Sequence, residues 1–96
     1  MFEIRLLPIA EQEMDEAEAW YRLESVKLGN DFHNQVDEQI ARIASNPFLY
    51  AVIKRDIRRA PVRRFPHGIF FRVSGNVVFV VGVFHPSRQP SLLHDR

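Results

Sequence analysis

Eight cations crowd the stretch between residues 54 and 88: Lys54, Arg55, Arg58, Arg59, Arg63, Arg64, Arg72 and Arg88. A guanidinium offers a planar fork of donors that grips a phosphate or carboxylate through two hydrogen bonds. In an extended segment, alternation puts Arg58 and Arg64 on one side and Arg59 and Arg63 on the other. They cannot all serve one site. Some must be solvated charges of the kind that protect a strand edge. Arg58, Arg59, Arg63, Arg64 and Arg88 are the candidates for contact with an acidic partner or target.

Four histidines complete the set of groups able to do chemistry. His33 is expected on the exposed side of a helix and His94 in a polar tail, so neither marks a site. His67 and His85 fall at the open end of a hairpin, near Arg63, Arg64 and Arg88. A histidine among arginines is what scission of RNA by 2′-hydroxyl attack would need, a proton carrier with cations around the phosphate. The competing reading is a histidine that caps strand ends by hydrogen bonding. No metal site is expected, since the only acid downstream is Asp95. No cofactor motif appears: a phosphate loop, a Gly-x-Ser-x-Gly elbow and a paired-carboxylate constellation are all missing. An ordinary metabolic enzyme is disfavoured.

The elements that must position these groups fit into 96 residues, the length of one domain. Apolar residues at 46%, with eight Phe among them, are enough for a core and too many for a disordered chain. Absence of cysteine excludes disulfides and thiolate metal sites, and a cytoplasmic location is expected. No apolar run is long enough to span a membrane. The net charge of +1 conceals a split. Residues 1–38 carry ten acids and three bases, whereas residues 39–96 carry ten bases and two acids. The basic half should attract nucleic acid or an acidic protein.

Residues 2–7 (FEIRLL) read as a strand, and Pro8 suits the first turn of a helix. Ala10, Met14, Ala17 and Tyr21 then form one helical stripe to about Glu24. Residues 25–30 (SVKLGN) read as a turn broken by Gly29. A second helix follows, with the stripe Phe32, Val36, Ile40, Ile43, and Asn46-Pro47 ends it. The two helices form an αα-hairpin. Residues 47–56 are expected as a connection, with Phe48 and Tyr50 tucked under the core. Residues 57–65 read as extended, and Pro61 argues for an edge strand or a bulge.

Residues 69–74 and 77–84 flank Gly75-Asn76, a two-residue hairpin signal. That turn pairs Ser74 with Val77, Arg72 with Phe79 and Phe70 with Val81, and sets His85 beside Pro66. One face then carries Ile69, Phe71, Val73, Val78, Val80, Gly82 and Phe84. The other carries Phe70, Arg72, Ser74, Val77, Phe79, Val81, Val83 and His85. Two helices can cover one face of a small sheet but hardly both. The second face is therefore expected to be partly exposed, as a partner site.

In order and spacing, several pieces resemble one known family. They are Trp20-Tyr21, Leu28-Gly29, Asn46-Pro47 with Tyr50, the run Arg63-Arg64-Phe65-Pro66-His67-Gly68-Ile69-Phe70-Phe71-Arg72-Val73, and Val83-Phe84-His85-Pro86-Ser87-Arg88-Gln89-Pro90. Over about residues 2–90 the chain resembles the RelE/ParE toxin superfamily of type II toxin–antitoxin systems. The arginine-rich strand and the Phe-His-x-x-Arg-x-Pro ending resemble the ParE, or plasmid-stabilisation, branch. The ribonuclease branch typically places an arginine near the position of Gly68 and a tyrosine after the last strand, and this sequence has neither.

The resemblance implies an α+β domain over residues 1–96, ordered β-α-α-β-β-β, with a helical hairpin on a small, largely antiparallel sheet. The Pro- and Ser-containing stretch 86–96 is expected as a mobile tail. It implies a toxin that poisons DNA gyrase and is held by a ParD-like antitoxin, without being an enzyme. The face of Phe70, Arg72, Phe79 and Val81 would receive the antitoxin's acidic, apolar segment. The alternatives are a RelE-like ribosome-dependent mRNA endonuclease using Arg63, His85 and Arg88, and a non-toxic remnant that only binds an antitoxin.

Overall fold

A computed structural model of the chain describes residues 1–87. Arg88, His94 and most of the tail expected from residue 86 lie outside the described residues. The elements are β1 (Glu3–Leu6), α1 (Pro8–Glu24), α2 (Val26–Ser45), a 3-10 turn (Pro47–Leu49), β2 (Val52–Lys54), β3 (Ile57–Pro61), β4 (Gly68–Ser74) and β5 (Val77–Phe84). The fold is α+β, as expected. The sheet runs β1-β5-β4-β3-β2, with β1 parallel to β5 and every other pairing antiparallel. Among the described residues no helix is long and apolar enough to cross a membrane.

The helical hairpin turns on one residue. Ser25 is extended, its amide bonds the Tyr21 carbonyl, and its hydroxyl accepts the Leu28 amide at 3.0 Å. It closes α1 and caps α2 at once. The longer turn over 25–30 is therefore not formed, and Gly29 lies inside α2. Gly29 serves a different end there. A Cβ on it would fall 2.9 Å from Arg22 Cβ and 3.2 Å from Arg22 Cα, so its absence lets the two helices close together.

Between the helices and the sheet lies the main core, which includes Ala10, Phe32, Val36, Ile43, Phe71 and Val80. The predicted stripes supply it, with Met14, Ala17, Tyr21 and Ile40 packed at its margin. The β4–β5 turn keeps φ positive at Gly75 alone of its two central residues, which is the type II′ pattern. Up to Phe71↔Val80 the register is the expected one. Beyond it, Phe70 pairs with Gly82, and Val81 is an extra residue.

This bulge reverses the face of everything after it. Val83 turns into the helix-side core, while Phe84 joins Ile57, Phe70 and Val81 in a smaller cluster on the opposite face. The faces expected for Val83, Phe84 and His85 are thus exchanged. Gly68 pairs with Phe84. Phe70 stacks on Phe84 with ring centroids 4.4 Å apart.

Two further departures bear on the basic half. The 47–56 connection contains the short strand β2, so β3 is not the sheet's edge. Arg59 donates its amide to Ala51, on the β2 side. Pro61, two residues on, turns its nitrogen toward the same side, where β2 has already ended. A residue with no N–H is tolerated there. Tyr50 packs against the core as expected, but Phe48 is exposed, touching Phe2 edge-on.

Candidate functional site

The cations that sequence groups together are dealt to three places. Arg58 lies on the helix side of β3. It donates to the Tyr50 carbonyl at 2.7 Å, and its guanidinium carbon sits 5.2 Å from the centre of the Phe48 ring. Tyr50 is fixed in turn, for its hydroxyl donates to Gln39 Oε1 at 2.9 Å while Gln39 donates to the Pro61 carbonyl. Gln39 is the one buried polar side chain among the described residues. Nothing in the sequence marked it.

Arg59 and Arg72 occupy the opposite face. Arg59 is exposed and lies across β4 at Gly68, where a Cβ would come 2.8 Å from its Nε. The glycine of the Phe-Pro-His-Gly-Ile run thus makes room for that guanidinium. Arg72 Nε is 3.1 Å from Asp56 Oδ1 and its side chain is partly exposed. Phe79, paired with Arg72, is also partly exposed. Phe70 and Val81 are buried. The exposure expected of this face holds at Arg72 and Phe79 and fails at Phe70 and Val81, because the bulge brings Phe84 onto the same side to pack with them.

Arg63 and Arg64 sit in the loop from 62 to 67, past the end of β3, so strand alternation does not sort them. Both are exposed. Arg64 has φ of +72°, and Arg55, in the β2–β3 turn, has φ of +52°. Left-handed backbone is costly for a side chain with a Cβ, and glycine or asparagine is its usual occupant. The loop is closed by hydrogen bonds from the Val62 amide to His67 and from the Phe65 amide to Val62.

Beside this loop the two strand-end histidines face each other, with ring centroids 6.1 Å apart. His67 packs edge-on against Tyr21 and Phe32, and its Nδ1 is 3.5 Å from the Tyr21 hydroxyl. His85 Nδ1 accepts the Ser87 amide. His85 therefore meets His67, not Pro66, again because of the bulge. Of the alternative catalytic set, Arg63 and His85 reach the same end of the sheet, and Arg88 lies outside the described residues. Among the described residues no three His, Asp or Glu side chains are grouped to hold a metal ion.

His33, passed over as a surface residue, joins the two helices. Its Nδ1 is 2.7 Å from Glu18 Oε1 and its Nε2 is 3.1 Å from Asp37 Oδ2. The hydrogen bond to Glu18 and the charge of Asp37 raise its pKa above the ordinary histidine value. Burial works to raise the Glu18 pKa, but the bonds from His33 and Arg22 prevail and lower it.

No family model matches this sequence, and no curated protein matches it. Among solved structures, the chain is similar to one from the chromosomal ParDE TA system of P. aeruginosa. The two superpose with a TM-score of 0.71 at 17% sequence identity, over 88% of this chain and 96% of that one. At that identity the likeness speaks for the fold.

Proposed function

We propose that the protein is the toxin of a type II toxin–antitoxin system, of the ParE-like kind, acting on DNA gyrase and neutralised by a ParD-like antitoxin. The observation that carries this reading is the likeness to a ParDE chain along nearly the whole of both chains. Two features of the surface support it. Arg59, Arg63 and Arg64 are exposed cations available to an acidic partner or target. Arg72 and Phe79 pair a charge with an apolar ring on the face expected to receive the antitoxin. Apolar burial would supply affinity there, and arginine–carboxylate pairing would supply orientation and selectivity.

The test is a plasmid-cleavage assay with purified gyrase, ATP and the folded protein, run with and without antitoxin. Linear DNA bound covalently to gyrase, and lost when antitoxin is added, is the expected result. Folded, antitoxin-binding protein that leaves gyrase turnover untouched would remove gyrase as the target. Failure of the tagged protein to co-purify with an antitoxin from its own host would count against the system as a whole.

One observation favours a second reading. His85 and His67 meet beside the Arg63–Arg64 loop, which is where a ribosome-dependent mRNA endonuclease would need a proton carrier among cations. In that case His85→Ala abolishes toxicity, whereas a gyrase poison keeps it. The non-toxic alternative is distinguished by normal growth at confirmed expression.

A further inference from the structure

The sheet has two edges, and they are treated differently. On β1 the exposed positions are the charged pair Glu3 and Arg5, and Pro8 ends the run. Such charges discourage another strand from docking. On the β2 side, four large apolar side chains within six positions stand open: Phe48 at 57% exposure, Leu49 at 76%, Val52 at 48% and Ile53 at 42%.

The backbone here is also available. Ala51 gives its carbonyl to the Arg59 amide, inward to β3. In an antiparallel pair the next residue turns its amide and carbonyl the other way. Val52, opposite Arg58, therefore presents both to the open edge. Cations bracket the strip, with Arg58 over Phe48 at one end and Lys54 and Arg55 at the other.

From these features we infer that the β2 edge receives an extended segment of the antitoxin, which adds as a further strand, with an apolar centre and carboxylates at its ends. The inference rests on the antitoxin reading above for the source of the segment. Backbone hydrogen bonds to Val52 set the register, and the exposed apolar side chains take up the centre of the segment. A second copy of this chain fits poorly. Two β2 edges meeting each other would bring Lys54 and Arg55 of one copy against the cations of the other, and like charges in register repel. Nucleic acid would leave the apolar strip uncovered.

The test uses the whole protein and a blocked, fluorescein-labelled peptide with a Val-Ile-Val centre and two glutamates at each end. Binding is read by fluorescence anisotropy. Val52→Pro removes an amide that faces outward and supports no internal bond. It should weaken binding at least ten-fold with the fold intact. Replacing the glutamates of the peptide by lysine should abolish binding. Should Val52→Pro not fold, the wild-type Val52 amide decides the matter, since peptide must slow its hydrogen exchange. Equal binding by Val52→Pro, equal binding of the lysine peptide, an unprotected Val52 amide or no binding at all would each overturn the edge assignment. Co-purification with antitoxin tests the broader reading independently, so the two can fail separately.

Discussion

Glu13 Oε1 accepts the backbone amide of Val83 at 3.1 Å, across 70 positions of sequence. The parallel ladder between β1 and β5 stops at Leu6↔Val80, and Leu7 takes the Val80 carbonyl. Past that point the bulge at Val81 has already shifted β5, and α1 supplies what β1 no longer can. Glu13→Ala leaves a half-buried amide without this charged acceptor, at a cost of about 1.5–3 kcal/mol. Glu13→Gln keeps a carbonyl oxygen in place and should recover most of the loss. Urea denaturation of both variants checks this, and equal stabilities would mean that the bond contributes little.

Gly29→Ala sets two effects against each other. Alanine in a helix interior gains about 1 kcal/mol over glycine. The new methyl, however, meets Arg22 at its Cβ and Cα, atoms that move only if α1 moves. Overpacking of this kind costs about 1–3 kcal/mol. We expect a net loss, seen as a lower Tm. A raised Tm would show that the helices separate freely.

The His33 staple makes stability depend on pH with a definite sign. With a carboxylate at each ring nitrogen, the imidazolium is the favoured form. A group whose pKa is raised by folding contributes fully below its unfolded value, about 6.5. That contribution is lost as pH climbs through the raised folded value. Glu18, lowered by folding, loses its share as pH falls through its own folded value. The Tm difference between wild type and His33→Ala should therefore be largest in mildly acidic solution and shrink on the alkaline side. A difference that does not vary with pH would exclude the charged pairing.

Burial decides which substitutions can probe the second face. Phe70→Asp would place a carboxylate in a fully buried site and report on folding. Arg72→Glu and Phe79→Asp change partly exposed side chains instead. If this face receives the antitoxin, each should weaken binding by more than ~1 kcal/mol in calorimetric titration. Unchanged affinity in both folded variants would move the interface elsewhere.

What sequence could and could not convey divides at particular residues. The helical stripes were legible because Ala10, Met14, Ala17, Tyr21 and Phe32, Val36, Ile40, Ile43 recur with helical spacing. The hairpin register was legible from Gly75-Asn76 outward for as long as the ladder stays regular. The bulge was not, because VVFVVGVF is apolar at nearly every position and a one-residue slip leaves no polar residue on the wrong side. Gly82 was the only hint. β2 escaped because three residues are too few to show a period. Gly29 reads as a breaker in sequence, since close approach of another helix is a tertiary fact. At the site, alternation correctly set Arg58 and Arg59 on opposite faces of β3, but it sorted Arg63 and Arg64 as strand residues when they lie in the loop beyond it. The difference follows from where β3 ends and from the loop that turns at Arg64.

The pairing of β1 with β5 joins two strands far apart in sequence: among the described residues, the strand partners of Glu3 to Leu6 are Val77 to Val80. During synthesis β1 has no strand partner until β5 is made. At about 5–20 residues per second, that delay is several seconds. The helical hairpin can wind early, but its apolar stripe has no sheet to rest on. The nascent polypeptide is thus exposed to chaperones and proteases through most of its production, and the finished surface arises late and all at once.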